Sequence, residues 1–393
     1  MSRRIHVCLL TSAHPVDDVR LKRKLVHTLI HEGFRVTWVG PNYEYVTEPN
    51  KITALANCSY RLFTPMRNRL ERLLVRRLAQ TASGVEGVDI YLAAEPDSAR
   101  VAVALAKKCK ARVILELHEL YHQSHIHNWA PKFARPLASL IVRGLIAKVS
   151  SRCDLVVGVS EGVLTPYRQS ARECIIVRNC APAWFADGPP ADVCGANRSS
   201  FTIMHGKSTQ YRGTAAVLRG LALAAPRAPR LRAIMFEWFD HVAVTAHNEL
   251  VAQIKTMGLV NIVDLRKPVQ MDEMPAILSA CDLGMIAHGR LLEAGTQPNR
   301  LYEYMASGLP ILAPSYDKGI APVIEAEQCG LLADFEDPAS IADAIVHLND
   351  NPVLCREMGR RARAAFLARH NWEIEVRPLV EKIRSWYPDK GSA

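Results

Sequence analysis

Two successive series of apolar strand-like runs, each alternating with helical patterns, predict an α/β protein of two Rossmann-like domains facing a cleft. The first series is residues 5–10, 36–39, 90–92, 113–117, 155–159 and 175–177. The second is residues 201–204, 233–235, 262–264, 283–286, 311–313 and 331–333. Between them Asp187-Gly188-Pro189-Pro190-Ala191-Asp192, running on to Ser199 and Ser200, has the composition of a linker. The expected domains are therefore 1–190 and 200–371. Within the first, a helix over residues 21–31 ends at Gly33. In the tail a long helix over 353–370 is broken at Asn371-Trp372, and a second helix runs on to Trp386.

Composition bounds the function. A chain of 393 residues suggests about two or three domains. Its 49% hydrophobic and 22% charged residues are ordinary for a soluble globular protein. The net charge of +10 favours a polyanionic partner: a nucleotide diphosphate, nucleic acid or an anionic membrane surface. No nucleic-acid-binding motif accompanies the charge, so nucleic acid is not expected. The ten cysteines are scattered without a C-x-x-C pair, which fits a reduced, cytoplasmic compartment. The start, Arg3-Arg4 and then a short apolar run interrupted by His6, reads as a first buried strand rather than a signal peptide. No apolar run is long enough to span a bilayer.

The stretch from Gly295 to Ala313 carries the most functional information. It reads as a glycine-bearing loop, a short helix and a buried strand. Pro298 suits the first turn, where its missing N–H would be unpaired anyway. Gly308 suits a left-handed exit, and Pro310 stops the helix. The free N–H groups at the helix start make an anion site, and Glu303 lies about one turn further in. A carboxylate there is placed to accept hydrogen bonds from a ribose diol while a diphosphate sits on the helix start near Asn299, Arg300 and Leu301. The plainer reading is an ordinary helix–Gly–strand unit with a solvated Glu303.

This segment closely resembles the signature helix of glycosyltransferase family 4, the retaining enzymes of GT-B fold, which commonly reads P-x-K-L-x-E-Y-M-A-x-G-x-P. The resemblance implies Glu303 as the nucleotide-ribose ligand. It also implies a last helix, 372–393, that crosses back to the first domain. Many family members carry a second Glu eight residues before the first. Here that position is Gly295, with Glu293 out of register, so the backbone N–H groups of Gly295 and Thr296 are the groups available for the sugar.

Other segments extend the resemblance over nearly the whole chain. Met204-His205-Gly206-Lys207-Ser208-Thr209-Gln210-Tyr211-Arg212-Gly213 follows the first strand of the second half, where an open α/β sheet places its ligand loop. Gly206 permits close backbone approach. Lys207 and Arg212 place two cations beside a diphosphate, where growing negative charge needs fixed stabilisation in the absence of a metal. The family's G-R…K-G is G-K…R-G here. A solvated basic loop is the plainer alternative.

His118-Glu119-Leu120-Tyr121-His122 matches H-E-x-x-H. A zinc protease would need both histidines on one helix face, whereas His118 directly follows a strand-like run. The stretch instead resembles the family's D-x-H-E at a central strand end, with Glu116 in the place of the Asp. That resemblance implies His118 near the sugar and its phosphate; a structural, hydrogen-bonded His118 stays open. Asp18-Val19-Arg20 resembles a D-x-R found near the first loop, which puts Asp17, Asp18 and Arg20 on the acceptor side. Asp18 serves equally well as a helix N-cap.

Finally, Met66, Leu70, Leu73, Leu74 and Leu78 share a helical face, with Arg67, Arg69, Arg72, Arg76 and Arg77 around it. This is either a helix packed on the sheet or a contact to an anionic membrane. The expected activity is metal-independent, retaining transfer from a nucleotide-diphosphate sugar to a glycan or lipid-linked hydroxyl at the cytoplasmic membrane face. No cofactor beyond the donor is expected. His118, Lys207 and Arg212 are the expected catalytic residues. A nucleotide-sugar epimerase and a catalytically silent nucleotide-sugar-binding subunit are the alternatives.

Overall fold

The computed structural model describes residues 4–43, 56–65, 75–124, 126, 130–195, 199–207, 213–237, 243–290 and 297–388. The chain divides into two compact units. Unit 1 is Met1–Arg178 with Glu375–Ala393, and unit 2 is Asn179–Ile374.

Unit 1 is built on a seven-stranded parallel sheet ordered β3-β2-β1-β4-β5-β6-β7. Its strands are β1 (His6–Leu10), β2 (Arg35–Pro41), β3 (Cys58–Phe63), β4 (Ile90–Ala93), β5 (Arg112–Leu117), β6 (Leu155–Gly158) and β7 (Cys174–Ile176). β1, β4 and β6 are buried at every position, as expected of parallel strands covered on both faces. The sequence reading missed β3. Among the described residues it is an edge strand paired only to β2, and Cys58-Ser59-Tyr60-Arg61-Leu62-Phe63 offers no apolar run to mark it. The expected helix over 21–31 begins earlier, as a π-wound run Val19–Val26 that continues into the α-helix His27–His31.

Unit 2 carries a six-stranded parallel sheet ordered β10-β9-β8-β11-β12-β13. Its strands are β8 (Phe201–Lys207), β9 (Leu231–Phe236), β10 (Val263–Arg266), β11 (Leu283–Met285), β12 (Ile311–Pro314) and β13 (Gly330–Ala333). All six fall on the apolar runs read from the sequence. The helix Asn299–Ser307 leads into β12 through Gly308, at φ +73°, where the left-handed exit was expected. Two parallel α/β sheets of this kind are Rossmann-like domains.

The domain boundary differs from the sequence expectation. The Gly-Pro stretch is folded onto unit 2 rather than strung between units. Phe185, Ala186 and Val193 enter the unit 2 core. Arg363 donates to the carbonyls of Ala186 and Gly188, and the Ala191 N–H donates to Ser307 O at 2.8 Å. Composition marked an absence of regular structure there, not a boundary. At the other end the long helix Pro352–Arg369 and the short helix Trp372–Glu375 lead to Arg377–Ser385. Residues from Glu375 onward belong to unit 1. Glu375 accepts from the Arg178 backbone and guanidinium, Lys382 pairs with Glu173, and Tyr387 donates to Asp89 O.

Gly284 in β11 lets the Tyr304 ring lie against the strand; a Cβ there would sit 2.3 Å from the ring. Gly284→Ala forces that aromatic ring, and the helix that carries it, away from the sheet. Overpacking of this kind destabilises by about 1–3 kcal/mol. Urea unfolding of the variant should show a lower midpoint at unchanged slope.

Candidate active site

Open α/β sheets bind ligands beyond the carboxyl ends of their strands, at the point where strand order reverses. In unit 2 that point lies between β8 and β11. β8 is irregular there: Met204 pairs with Ile234 and Gly206 with Met235, so His205 is the extra residue of a bulge. Gly206 sits at φ +74°, and a Cβ would stand 3.2 Å from Arg300 Nη1. Both the backbone conformation and the close approach therefore call for glycine.

The helix Asn299–Ser307 locks this bulge. Arg300 Nη1 donates to His205 O at 2.5 Å, and the Tyr304 hydroxyl donates to Met204 O at 3.1 Å. Arg300 and Tyr304 are one turn apart and share the buried face. Asn299 and Glu303 are also one turn apart and are the helix's two half-buried residues; every other residue from Asn299 to Ser307 is buried. One face thus fixes the ligand-loop strand while another presents an amide and a carboxylate. Gln297 steadies the approach, donating to Gly319 O and accepting from the Tyr302 hydroxyl at 2.7 Å.

Two of the expected donor residues change role. Leu301 is wholly buried in the core and its N–H donates to Pro298 O at 3.1 Å, so its part is packing. Arg300 is buried as the clamp on β8, not spread on an open helix start. Its Nη2 has no hydrogen-bond partner among the described residues. Arg212, Gly295 and Thr296 lie outside the described residues, as does the side chain of Lys207. After β11, sequence reasoning missed a buried pair: His288 Nδ1 lies 2.8 Å from Asp317 Oδ2, and Asp317 Oδ1 accepts from Gly319 N and Ile320 N. Nothing in the local pattern marks residues 29 apart as partners.

In unit 1 strand order reverses between β1 and β4, and a polar cluster gathers there. Glu95, just past β4, accepts from Thr11 Oγ1 at 2.5 Å and from Ser12 N at 3.1 Å. His14 Nδ1 is 3.0 Å from Asp18 Oδ2, and its Nε2 is 3.5 Å from Glu95 Oε1. The His14 ring meets that of His118 edge-on, centroids 5.0 Å apart. His118 Nε2 stands 3.4 Å from Glu116 Oε2. Glu116 Oε1 accepts from Arg20 Nε at 2.8 Å. The two family-like motifs at Asp18-Val19-Arg20 and Glu116-Leu117-His118 therefore meet in one network.

Arg20 is a strut here rather than an open acceptor contact. It is buried, paired with Glu116, and donates to Val177 O at 2.9 Å. Asp18 caps the helix start, accepting from Leu21 N at 2.9 Å while it holds His14. Asp17 is exposed. His122 takes a different partner from His118, the Tyr167 hydroxyl at 2.9 Å, so the two motif histidines serve separate contacts. The sequence reading gave no role to His14 or Glu95. The one available signal was Glu95-Pro96-Asp97-Ser98, a helix start in which Glu95 and Ser98 cap each other.

Charge balance in this cluster follows from burial. Desolvation alone would push the Glu116 carboxyl up, but the Arg20 guanidinium, with His118, holds it well below the usual range. Burial alone would push His14 down. Its hydrogen bond to Asp18 and the charges of Glu95, Asp18 and Glu116 outweigh that and raise it to about 9. Asp18 is correspondingly lowered by its bond to His14 against its own desolvation.

The family described as Glycosyl transferases group 1 matches residues 218–351, within unit 2. This stretch of unit 2 is similar to group 1 glycosyltransferases. No curated protein sequence matches the chain. Among solved structures, sucrose-phosphate synthase from Thermosynechococcus elongatus is similar at TM-score 0.76 and 15% identity, over 98% of this chain and 100% of that one. HepE of Anabaena, in complex with UDP and glucose, is similar at TM-score 0.73 and 18% identity, over 98% and 100%. A UDP-forming α,α-trehalose-phosphate synthase from Burkholderia vietnamiensis follows at TM-score 0.70 and 13% identity, over 98% and 99%. The chain therefore has the GT-B fold of these structures, with the helix Asn299–Ser307 inside the segment that matches the family.

Two outcomes test the unit 1 cluster. Arg20→Met leaves Glu116 buried without its cation, which destabilises by about 3–5 kcal/mol in chemical denaturation. The raised His14 contributes stability fully below its ordinary value of 6.5 and loses it as pH rises through about 9. The melting temperature should fall across that window, and His14→Gln should flatten the fall.

Proposed function

We propose that this group 1 glycosyltransferase moves a sugar from a nucleotide-diphosphate donor to an acceptor hydroxyl with retention of anomeric configuration. The observation that carries the reading is the helix Asn299–Ser307. Its buried face grips the β8 bulge through Arg300 and Tyr304, and its half-open face presents Asn299 and Glu303. In this reading Glu303 accepts the ribose hydroxyls. The N–H groups around Asn299 face the diphosphate, and Gly206 gives the loop after β8 its close approach. Lys207 and Arg212 stabilise the departing phosphate. Gly295 and Thr296 offer backbone N–H groups to the sugar.

The bond from anomeric carbon to phosphate oxygen breaks as the acceptor oxygen bonds the same carbon on the same face. The acceptor proton passes to the leaving phosphate. No covalent nucleophile and no metal is assigned. In the same reading His118 takes a catalytic role and Asp17 an acceptor-side one. The acceptor is a glycan hydroxyl, with a lipid-linked precursor as the preferred class. Of the donors, UDP-glucose is the first to test, because HepE, which shares the fold, is known in complex with it.

Thermal-shift measurement against UDP, GDP, ADP and their sugar conjugates tests the donor site. A ligand at a hundred times its Kd stabilises by about 2.7 kcal/mol. One base should raise the melting temperature, with or without EDTA. Glu303→Ala, which removes a charged acceptor, should weaken that ligand by about tenfold to a hundredfold. Absence of stabilisation by every nucleoside diphosphate overturns the reading. Formation of the opposite anomer, read by proton NMR, overturns retention.

A further inference from the structure

The helix Arg135–Ser150 of unit 1 turns an apolar face outward. Phe133 just before it is 88% exposed, and Leu137, Leu140, Ile141 and Leu145 are 63%, 62%, 54% and 62% exposed. At 100° per residue Leu137, Leu140, Ile141 and Leu145 fall within one arc of the helix, as do the exposed Gly144 and Lys148, with the exposed Arg143 beyond its edge; Phe133 stands in the 3-10 turn Lys132–Ala134 that leads in. The opposite face is spent on the unit. Ile146, Val149 and Ser150 are buried, and Ser139 Oγ donates to His122 O at 2.8 Å. An exposed apolar stripe of this size on a folded helix marks an interaction surface.

Charge identifies the occupant. From residue 120 to 153 the sequence holds five cations, Lys132, Arg135, Arg143, Lys148 and Arg152, and no Asp or Glu. Lys132, Arg143, Lys148 and Arg152 are exposed. Phe and Leu on one face with Lys and Arg around them is the composition of a helix that lies in the plane of an anionic bilayer surface. A second copy of the chain is a poor match. A twofold contact would set this patch against itself and bring Arg143 and Lys148 towards their own equivalents. Among the described residues no helix is long and apolar enough to cross a membrane, so the contact is one of lying on the surface.

We propose that the face formed by Phe133, Leu137, Leu140, Ile141 and Leu145 docks unit 1 on an anionic lipid surface, with Arg143 and Lys148 over the headgroups. This is a different segment from the arginine-rich stretch expected at residues 66–78. There, residues 66–74 lie outside the described residues, and Arg77 donates to the carbonyl of Thr64. The docking surface stands on unit 1 alone. It gives a lipid-linked acceptor a place of encounter without depending on the donor site.

The test is flotation of the full chain with vesicles of phosphatidylcholine alone and of equal parts phosphatidylcholine and phosphatidylglycerol. The chain should float with the anionic vesicles and far less with the neutral ones. Each cation at such a surface multiplies partition by about fivefold. Leu140→Asp with Leu145→Asp should reduce partition by more than about tenfold at unchanged melting temperature, because both positions are exposed. Arg143→Glu with Lys148→Glu should remove the preference for anionic lipid. Tryptophan fluorescence of Phe133→Trp should be quenched by brominated lipid. No flotation, flotation unchanged in both double variants, or a dimer abolished by the leucine changes without vesicle binding overturns the proposal. Nucleotide thermal shift of the same variants should be unchanged, which separates a failure here from a failure of the donor reading.

Discussion

Glu116 is a carboxylate with 1% of its surface open to water, at the end of a strand in the middle of a parallel sheet. A charge in that position is tolerable only when paired and hydrogen-bonded. Arg20 supplies the pairing, and it must be anchored to do so, hence its bond to Val177 O beyond the last strand. The first loop, the central strand and the exit from β7 are thus fixed by one guanidinium. His118 lies against the second oxygen of the same carboxylate, and His14 against His118. The polar side of unit 1 is arranged around neutralising one buried anion.

Unit 2 solves the matching problem with backbone instead of charge. β8 carries a bulge near its carboxyl end, which frees carbonyls that an unbroken ladder would have used. Arg300 and Tyr304 take up the carbonyls of His205 and Met204. The same helix that satisfies the irregular strand carries Asn299 and Glu303 on its other face. A ligand group and its support are therefore parts of one rigid element, which holds a binding geometry better than a loop does. Gly284 and Gly206 are two of the places where that rigidity needs a missing side chain.

Most of the architecture was legible because parallel strands buried on both faces write themselves as apolar runs. β3 was not, because an edge strand has one open face and a polar alternation. The left-handed glycines at Gly206 and Gly308 and the helix start at Asn299 were legible through local chemistry, because such turns and starts announce themselves within a few residues. That Arg20, Arg300 and Leu301 are buried was not legible, for a single reason. A motif names positions, and only tertiary contacts decide which side chains face inward. Arg20 meets a carboxylate 96 residues away, and Arg300 a carbonyl 95 residues away. Similarly, the sequence reading did not single out the stripe from Phe133 to Leu145, because periodicity locates a stripe without saying whether anything covers it.

The division of the chain has a consequence for its synthesis. Unit 2 is one continuous segment, whereas unit 1 is closed by residues that follow it, from Glu375 on. Domains commonly fold in the order in which they leave the ribosome. Here the first-made unit waits. Until the helix Arg377–Ser385 has emerged, Arg178 lacks Glu375, Glu32 lacks Arg384 and Asp89 O lacks Tyr387. Unit 2, later in the sequence, already has every one of its strands by then. The nascent chain therefore completes its second half first, and the ribosome holds an unfinished unit 1 through the synthesis of nearly two hundred residues, 179–374.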